Sequence, residues 1–148
     1  MCRLVGRTGR RPPECGSEHG QVGVDPQIFR NAVPATVAPT KDYPAFLGEV
    51  IVHGQDIARP LGVDLDPDAE AVLEVARFFA AKDFAVNSRT LVKGLSLNAD
   101  DADFSVGDGP TVSGELIDLV MAMAGRSDAC DMLTGDGVDE LRQRMSRS

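Results

Sequence analysis

Proline and glycine punctuate this chain so closely that only short elements can form between them. Proline cannot continue a helix interior or donate to a sheet ladder, and glycine supplies tight turns and helix ends. Pro60 and Gly62 close one segment, Asp66-Pro67 opens the next, and Gly107-Asp108-Gly109-Pro110 forms a turn. Gly125 stops an apolar run, and Gly135-Asp136-Gly137 forms another turn. The segment from about Tyr43 to Ala58 reads as a helix, with Asp42 as N-cap and Pro44 early, where proline is tolerated. On its helical wheel Phe46, Val50 and Ile57 share an apolar stripe, while Gly48, Gln55 and Arg59 lie opposite and are expected to face water.

The remaining segments obey the same logic. Asp66 caps and Pro67 starts a second helix running to about Ala81, with Val72, Val75, Ala76 and Phe79 as its buried stripe. Leu91, Lys93, Leu95, Ser96 and Leu97 alternate loosely and suggest a strand. Short strands are expected over 103–106 and 111–113, a buried helix over 115–124, and a last helix from Val138 to Met145. Helices, then strands, then helices make an α+β fold. Residues 1–33 keep no period and carry arginines, glycines and a Pro12-Pro13 pair. They read as a disordered or non-homologous tail, whether a genuine start or the product of a wrong start site or a frameshift.

Charge narrows the partners. A net charge of -8 argues against nucleic acid and anionic membrane surfaces, because phosphate contacts need Lys and Arg. No apolar stretch approaches a membrane span and no secretory signal is evident. Cys2, Cys15 and Cys130 are scattered and odd in number, which argues against a disulfide framework and for a reduced, cytoplasmic protein. Cys130 reads as a small packed residue. The acids Asp100, Asp101, Asp103 and Asp108 lack calcium-loop spacing and read as a solvated turn.

One spacing carries chemistry. Glu49 and His53 stand four residues apart on the first helix, hence on one face, where a carboxylate and an imidazole can close on one divalent metal. The pair is expected to project beside the apolar stripe into a sheltered pocket, and Asp56 could orient a ligand from behind. The bland alternative is a solvated Glu–His pair. Arg126, just past a helix, could cap carbonyls or grip a substrate carboxylate bidentately. His19, with Cys15 four residues earlier, lies in a loop context and is a weak third-ligand candidate.

The stretch Gly48-Glu-Val-Ile-Val-His-Gly-Gln-Asp-Ile-Ala-Arg-Pro-Leu-Gly62 resembles the last bundle helix of the mycothiol-dependent maleylpyruvate isomerase family. Asp103-Phe-Ser-Val-Gly-Asp-Gly-Pro110, followed by Leu116 to Arg126 and Gly135-Asp-Gly137, resembles that family's C-terminal domain. The resemblance implies that 34–62 is the last helix of a DinB-like metal-binding bundle and 63–148 a sterol-carrier-like α+β domain. It implies a zinc-type ion held by Glu49, His53 and an early bundle histidine, mycothiol as thiol cofactor, and Arg126 as a catalytic residue. The implied reaction is cis–trans isomerisation of a small diacid, or thiol transfer to it: the thiolate adds to the double bond, rotation follows, and elimination gives the trans product.

The first three bundle helices of that family have no counterpart here, so the expectation is an N-terminally truncated member with an incomplete metal site. Activity is then expected to be impaired. The alternatives are a non-catalytic ligand-binding or interaction module and a gene remnant. Self-association through the exposed bundle helix is a further expectation.

Overall fold

In the computed structural model, the structure describes Gln27, Arg30 and residues 42–147. The chain divides into two units, Met1–Thr36 and Val37–Ser148, and every element named below belongs to the second. The expected tail over 1–33, with Cys2, Cys15 and His19, lies outside the described residues apart from Gln27 and Arg30.

Helix α1 spans Tyr43–Ala58, the bounds its punctuation predicts, with Pro44 in its first turn. Asp42 precedes it without a side-chain cap; its carbonyl accepts from the Phe46 amide instead. A single 3-10 turn, Arg59–Leu61, follows and ends at Gly62, whose φ of 64° is the left-handed conformation that glycine adopts without steric cost. Helix α2 spans Ala69–Ala81. It starts two residues after the expected site because Asp68, not Asp66, is the cap, its carboxylate accepting from the Ala71 amide at 3.0 Å. Val72, Val75, Ala76 and Phe79 are buried as read.

The buried face of α1 differs from the sequence expectation. Ala45, Gly48, Ile51, Val52, Gln55 and Ala58 are buried. Val50 and Ile57 stay 54% and 66% exposed. The helix carries apolar residues on both sides, and α2 covers the side that includes Gly48. A Cβ at Gly48 would stand 3.0 Å from Phe79 Cζ, so glycine lets that ring lie against the α1 backbone. Gln55 is buried but satisfied: its Nε2 donates to the Leu65 carbonyl at 2.8 Å and its Oε1 accepts from Arg59 Nε at 3.0 Å.

The region around Leu91 is not a strand. Ser88–Val92 forms a short helix, α3. Asp83 receives both the Thr90 amide at 2.9 Å and the Thr90 hydroxyl at 2.6 Å, local bonds that favour a helical turn over an extended ladder. Strand β1 begins only at Ser96 and runs Ser96–Ala99; β2 is Ser105–Val106 and β3 is Thr111–Gly114. The sheet order is β2-β1-β3, with β1 antiparallel to β2 and parallel to β3. Getting from one edge to the other carries 107–110 across the start of β1. A Cβ at Gly107 would lie 1.9 Å from the Leu95 carbonyl oxygen, and one at Gly109 would lie 1.8 Å from that of Gly94. The glycines in this turn are therefore needed for close passage of two backbones.

Register aligns Leu97 with Val112, and both are buried. Helix α4, Leu116–Met123, packs over them and against α2. Its first amide is capped from afar, by Asp101 Oδ1 at 2.8 Å from the Leu116 nitrogen. The Asp100–Asp103 acids thus include a structural cap. A 3-10 segment, Ser127–Met132, and helix α5, Val138–Met145, complete the fold. The described residues form a mixed α+β structure, and its hydrophobic core draws on all five helices, the 3-10 segment and the sheet. No helix among the described residues is long and apolar enough to cross a membrane.

Candidate functional site

Four side chains that the sequence singles out form one hydrogen-bonded run, and three of them, Glu49, His53 and Arg126, line one cavity. Glu49, His53 and Asp56 come from α1, and Arg126 arrives from the segment after α4, seventy residues on. The placement follows from local structure. Gly125 takes φ 84° and ends α4, turning the chain so that the Arg126 side chain reaches back to α1. There Arg126 Nε and Nη2 donate to Asp56 Oδ1 and Oδ2 at 3.1 and 2.6 Å, a bidentate pair. Arg126 Nη1 donates to the Ala124 carbonyl at 2.7 Å. The carbonyl cap expected of Arg126 is present, and the carboxylate it holds is the protein's own Asp56. Of the five N–H donors of a guanidinium, two remain for a bound acid.

His53 lies between two carboxylates. Its Nδ1 stands 3.3 Å from Asp56 Oδ2 and its Nε2 stands 3.2 Å from Glu49 Oε2. A neutral imidazole has one N–H, so in either tautomer one ring nitrogen presents a lone pair to a carboxylate oxygen. One contact can then be a hydrogen bond, while the other is left either to solvent or to a metal ion. The Nε2–Oε2 separation suits the latter. Ligands at zinc distances of about 2.0–2.1 Å in a tetrahedron stand roughly 3.3 Å apart. Asp56 on the far nitrogen fixes the ring as carboxylates do behind metal-bound histidines.

The electrostatics support an ionised Asp56. The Arg126 guanidinium holds its carboxyl below the ordinary carboxylate value, with a smaller contribution from His53 and against a modest opposing effect of burial. Asp56 in turn raises the Arg126 pKa, so both members stay charged across the physiological range.

The sheltered setting expected for the pair is only partly found. The side chains of His53 and Glu49 are 62% and 53% exposed, so they sit at a rim and not inside. The cavity beneath them, about 240 Å³, is walled by Val52, Phe79, Phe84, Val86 and Ala124, with Arg126 at its edge. A second cavity of about 470 Å³ shares Val86 and Ala124 with it and is lined by Leu91, Met123 and Met145. Nothing in the sequence pattern pointed to Phe84 or Val86, because they lie in a connection whose position depends on α2 and α3.

Among the described residues, no group of three or more His, Cys, Asp and Glu side chains is placed to hold a metal ion. Glu49 and Asp56 contact opposite nitrogens of one ring and cannot converge on one ion. The donor set here is therefore a pair, Glu49 and His53, that fits one edge of a zinc tetrahedron. Cys130 is buried, its thiol pKa pushed up by desolvation, and it is no candidate nucleophile.

No protein-family model, curated protein or solved structure matches this chain.

Proposed function

We propose that this chain is a member of the mycothiol-dependent maleylpyruvate isomerase family, with Glu49 and His53 as metal ligands and Arg126 as the receptor for a small carboxylate substrate. The reading includes the finer fold assignment, a DinB-like last helix over 34–62 joined to a sterol-carrier-like domain. What supports it is one observation: residues at the resemblance's metal positions and its catalytic arginine, far apart in sequence, share one hydrogen-bonded run at the rim of one cavity. Convergence of this kind is not a consequence of composition or helical period.

A bound zinc ion would supply Lewis acidity, lowering the pKa of a thiol such as that of mycothiol so that the thiolate is present at neutral pH. The protein's own share is positioning. Asp56 holds the His53 ring with Nε2 facing Glu49. Arg126, held by Asp56, offers its two remaining donors to a substrate carboxylate and to the charge that develops on it during addition. The apolar wall of Val52, Phe79 and Val86 excludes water from one side of the reacting carbons.

The exposure of the donor pair favours a second reading, a non-catalytic ligand-binding or interaction module that keeps the ancestral geometry without turnover. Metal analysis of the purified protein beside an isomerase assay separates the two. Zinc- and mycothiol-dependent conversion of a maleylpyruvate-type diacid, abolished in Glu49→Ala and reduced in Arg126→Ala, is expected from the first. Zinc binding without turnover supports the second. Absence of zinc binding at millimolar zinc overturns the metal site.

A further inference from the structure

Two cavities of this chain adjoin at one pair of residues. Val86 and Ala124 line both the cavity of about 240 Å³ beside Arg126 and its neighbour of about 470 Å³. Gly125 lines the larger cavity, and the next residue, Arg126, lines the smaller. The guanidinium is anchored at this junction, because Nη1 donates to the Ala124 carbonyl at 2.7 Å. Asp56 accepts from Nε and Nη2, which leaves one N–H on each Nη atom for a bound acid.

The larger cavity has the size of a small-molecule site. Leu91 from α3, Met123 from α4 and Met145 from α5 join Val86 and Ala124 in an apolar wall. Leu91 and Met123 are buried and Met145 is half-buried. Methionine is unbranched and polarisable, so its side chain follows the outline of an aliphatic chain. Two further cations, Arg144 and Arg147, stand at the same cavity. Arg144 is directed elsewhere: its Nη1 donates to the carbonyls of Leu91 and Lys93 at 2.7 and 2.8 Å, and its Nη2 to Glu140. Arg147 is exposed, where solvent screens its charge. Arg126, with 30% of its side chain exposed and held in place by Asp56, is the better placed cation for an acid whose body lies in the cavity.

We infer that the acid received by Arg126 carries an apolar tail, its carboxylate bound to the guanidinium at the junction and its tail passing Val86 into the cavity lined by Leu91, Met123 and Met145. This rests on Arg126 being the receptor for a substrate carboxylate and names the rest of that substrate. Selection among acids then falls on the tail. Each methylene taken out of water into the cavity contributes about 0.8 kcal/mol, a factor of about 4 in affinity.

The test is calorimetric titration of the full chain with straight-chain monocarboxylates from butanoate to decanoate, beside the primary alcohols of the same lengths. Affinity for the acids should rise roughly fourfold per methylene until the cavity is filled, and each long acid should bind at least tenfold more tightly than its alcohol. Arg126→Ala should lower the acids to the level of the alcohols. Met145→Gln changes only the larger cavity, at a half-buried position, and circular dichroism checks that it folds. It should flatten the dependence on chain length and leave butanoate unchanged. Acids that bind with one affinity at every length overturn the tail site and leave Arg126 standing as a carboxylate receptor. A length dependence that is equal for acids and alcohols, and equal in Arg126→Ala, overturns the joining of head and tail. Loss of acid binding in Arg147→Ala but not in Arg126→Ala overturns the proposed orientation. Failure to bind any acid at millimolar concentration overturns both the tail site and the carboxylate receptor.

Discussion

Replacing Asp56 by Asn removes one charge from the centre of the site while keeping its shape. In the native chain that carboxylate accepts two bonds from Arg126 and stands 3.3 Å from His53 Nδ1. The ion pair is about one-third exposed on both sides, at 30% for Arg126 and 32% for Asp56. Solvent screening therefore places its worth above an isolated surface pair and well below a buried one, at about 1 kcal/mol. For a domain of this size that is a fall of roughly 3–5 °C in melting temperature. The pH dependence has a definite sign. Arg126 depresses the Asp56 carboxyl in the folded state below its ordinary 3.8. The stabilisation is thus fully present above that value and disappears as pH falls through the lower folded one. The stability gap between the native protein and Asp56→Asn should be present at neutral pH and close in strong acid as the Asp56 carboxyl takes up its proton. Zinc affinity should fall about 10- to 100-fold, because the His53 ring loses its orienting partner. Urea unfolding measured by circular dichroism at several pH values, with calorimetric zinc titration, reads both effects. A variant within about 0.5 kcal/mol of native at neutral pH, as for an ordinary surface change, and with unchanged zinc affinity, would refute the coupling of Arg126 to His53 through Asp56.

Three other outcomes are set by particular contacts. Gly107→Ala should destabilise by roughly 3 kcal/mol or more, since it combines a φ of 85° with a Cβ set 1.9 Å from the Leu95 carbonyl oxygen; a soluble variant with native denaturation midpoint would contradict the crossing at β1. Asp118→Asn leaves Arg59 without the charged partner it meets at 2.8 Å in a buried position, and chemical denaturation should show a loss of about 2 kcal/mol. Cys130, buried and with its thiol pKa raised by desolvation, should react with iodoacetamide in the folded protein far more slowly than in urea, measured by mass spectrometry; equal rates would place it at the surface.

Much of the local structure was legible because it depends on neighbours in sequence. Pro44, Pro60 and Gly62 bound α1, and Gly125 and the Gly135–Gly137 turn set the limits of α4 and α5. The buried stripe of α2 was readable because Val72, Val75, Ala76 and Phe79 recur at helical spacing on one side. On α1 two apolar sides compete, and periodicity cannot say which one meets the core. At Leu91 a loose alternation was outweighed by the Asp83–Thr90 bonds.

The candidate site divides in the same way. The i, i+4 spacing of Glu49 and His53, and the third residue Asp56 on the same flank, follow from helix geometry alone once a helix is assigned. That Arg126 would grip Asp56 could not be read from spacing, because seventy residues separate them and only the packing of α4 against α2, and of α2 against α1, brings them together. Sequence determined where each helix begins and ends and which side chains share a flank, since these depend on backbone terms acting over a few residues. Tertiary structure decided which face of α1 is buried, how exposed the metal pair remains and which carboxylate the arginine holds, since each depends on long-range burial that no local pattern encodes.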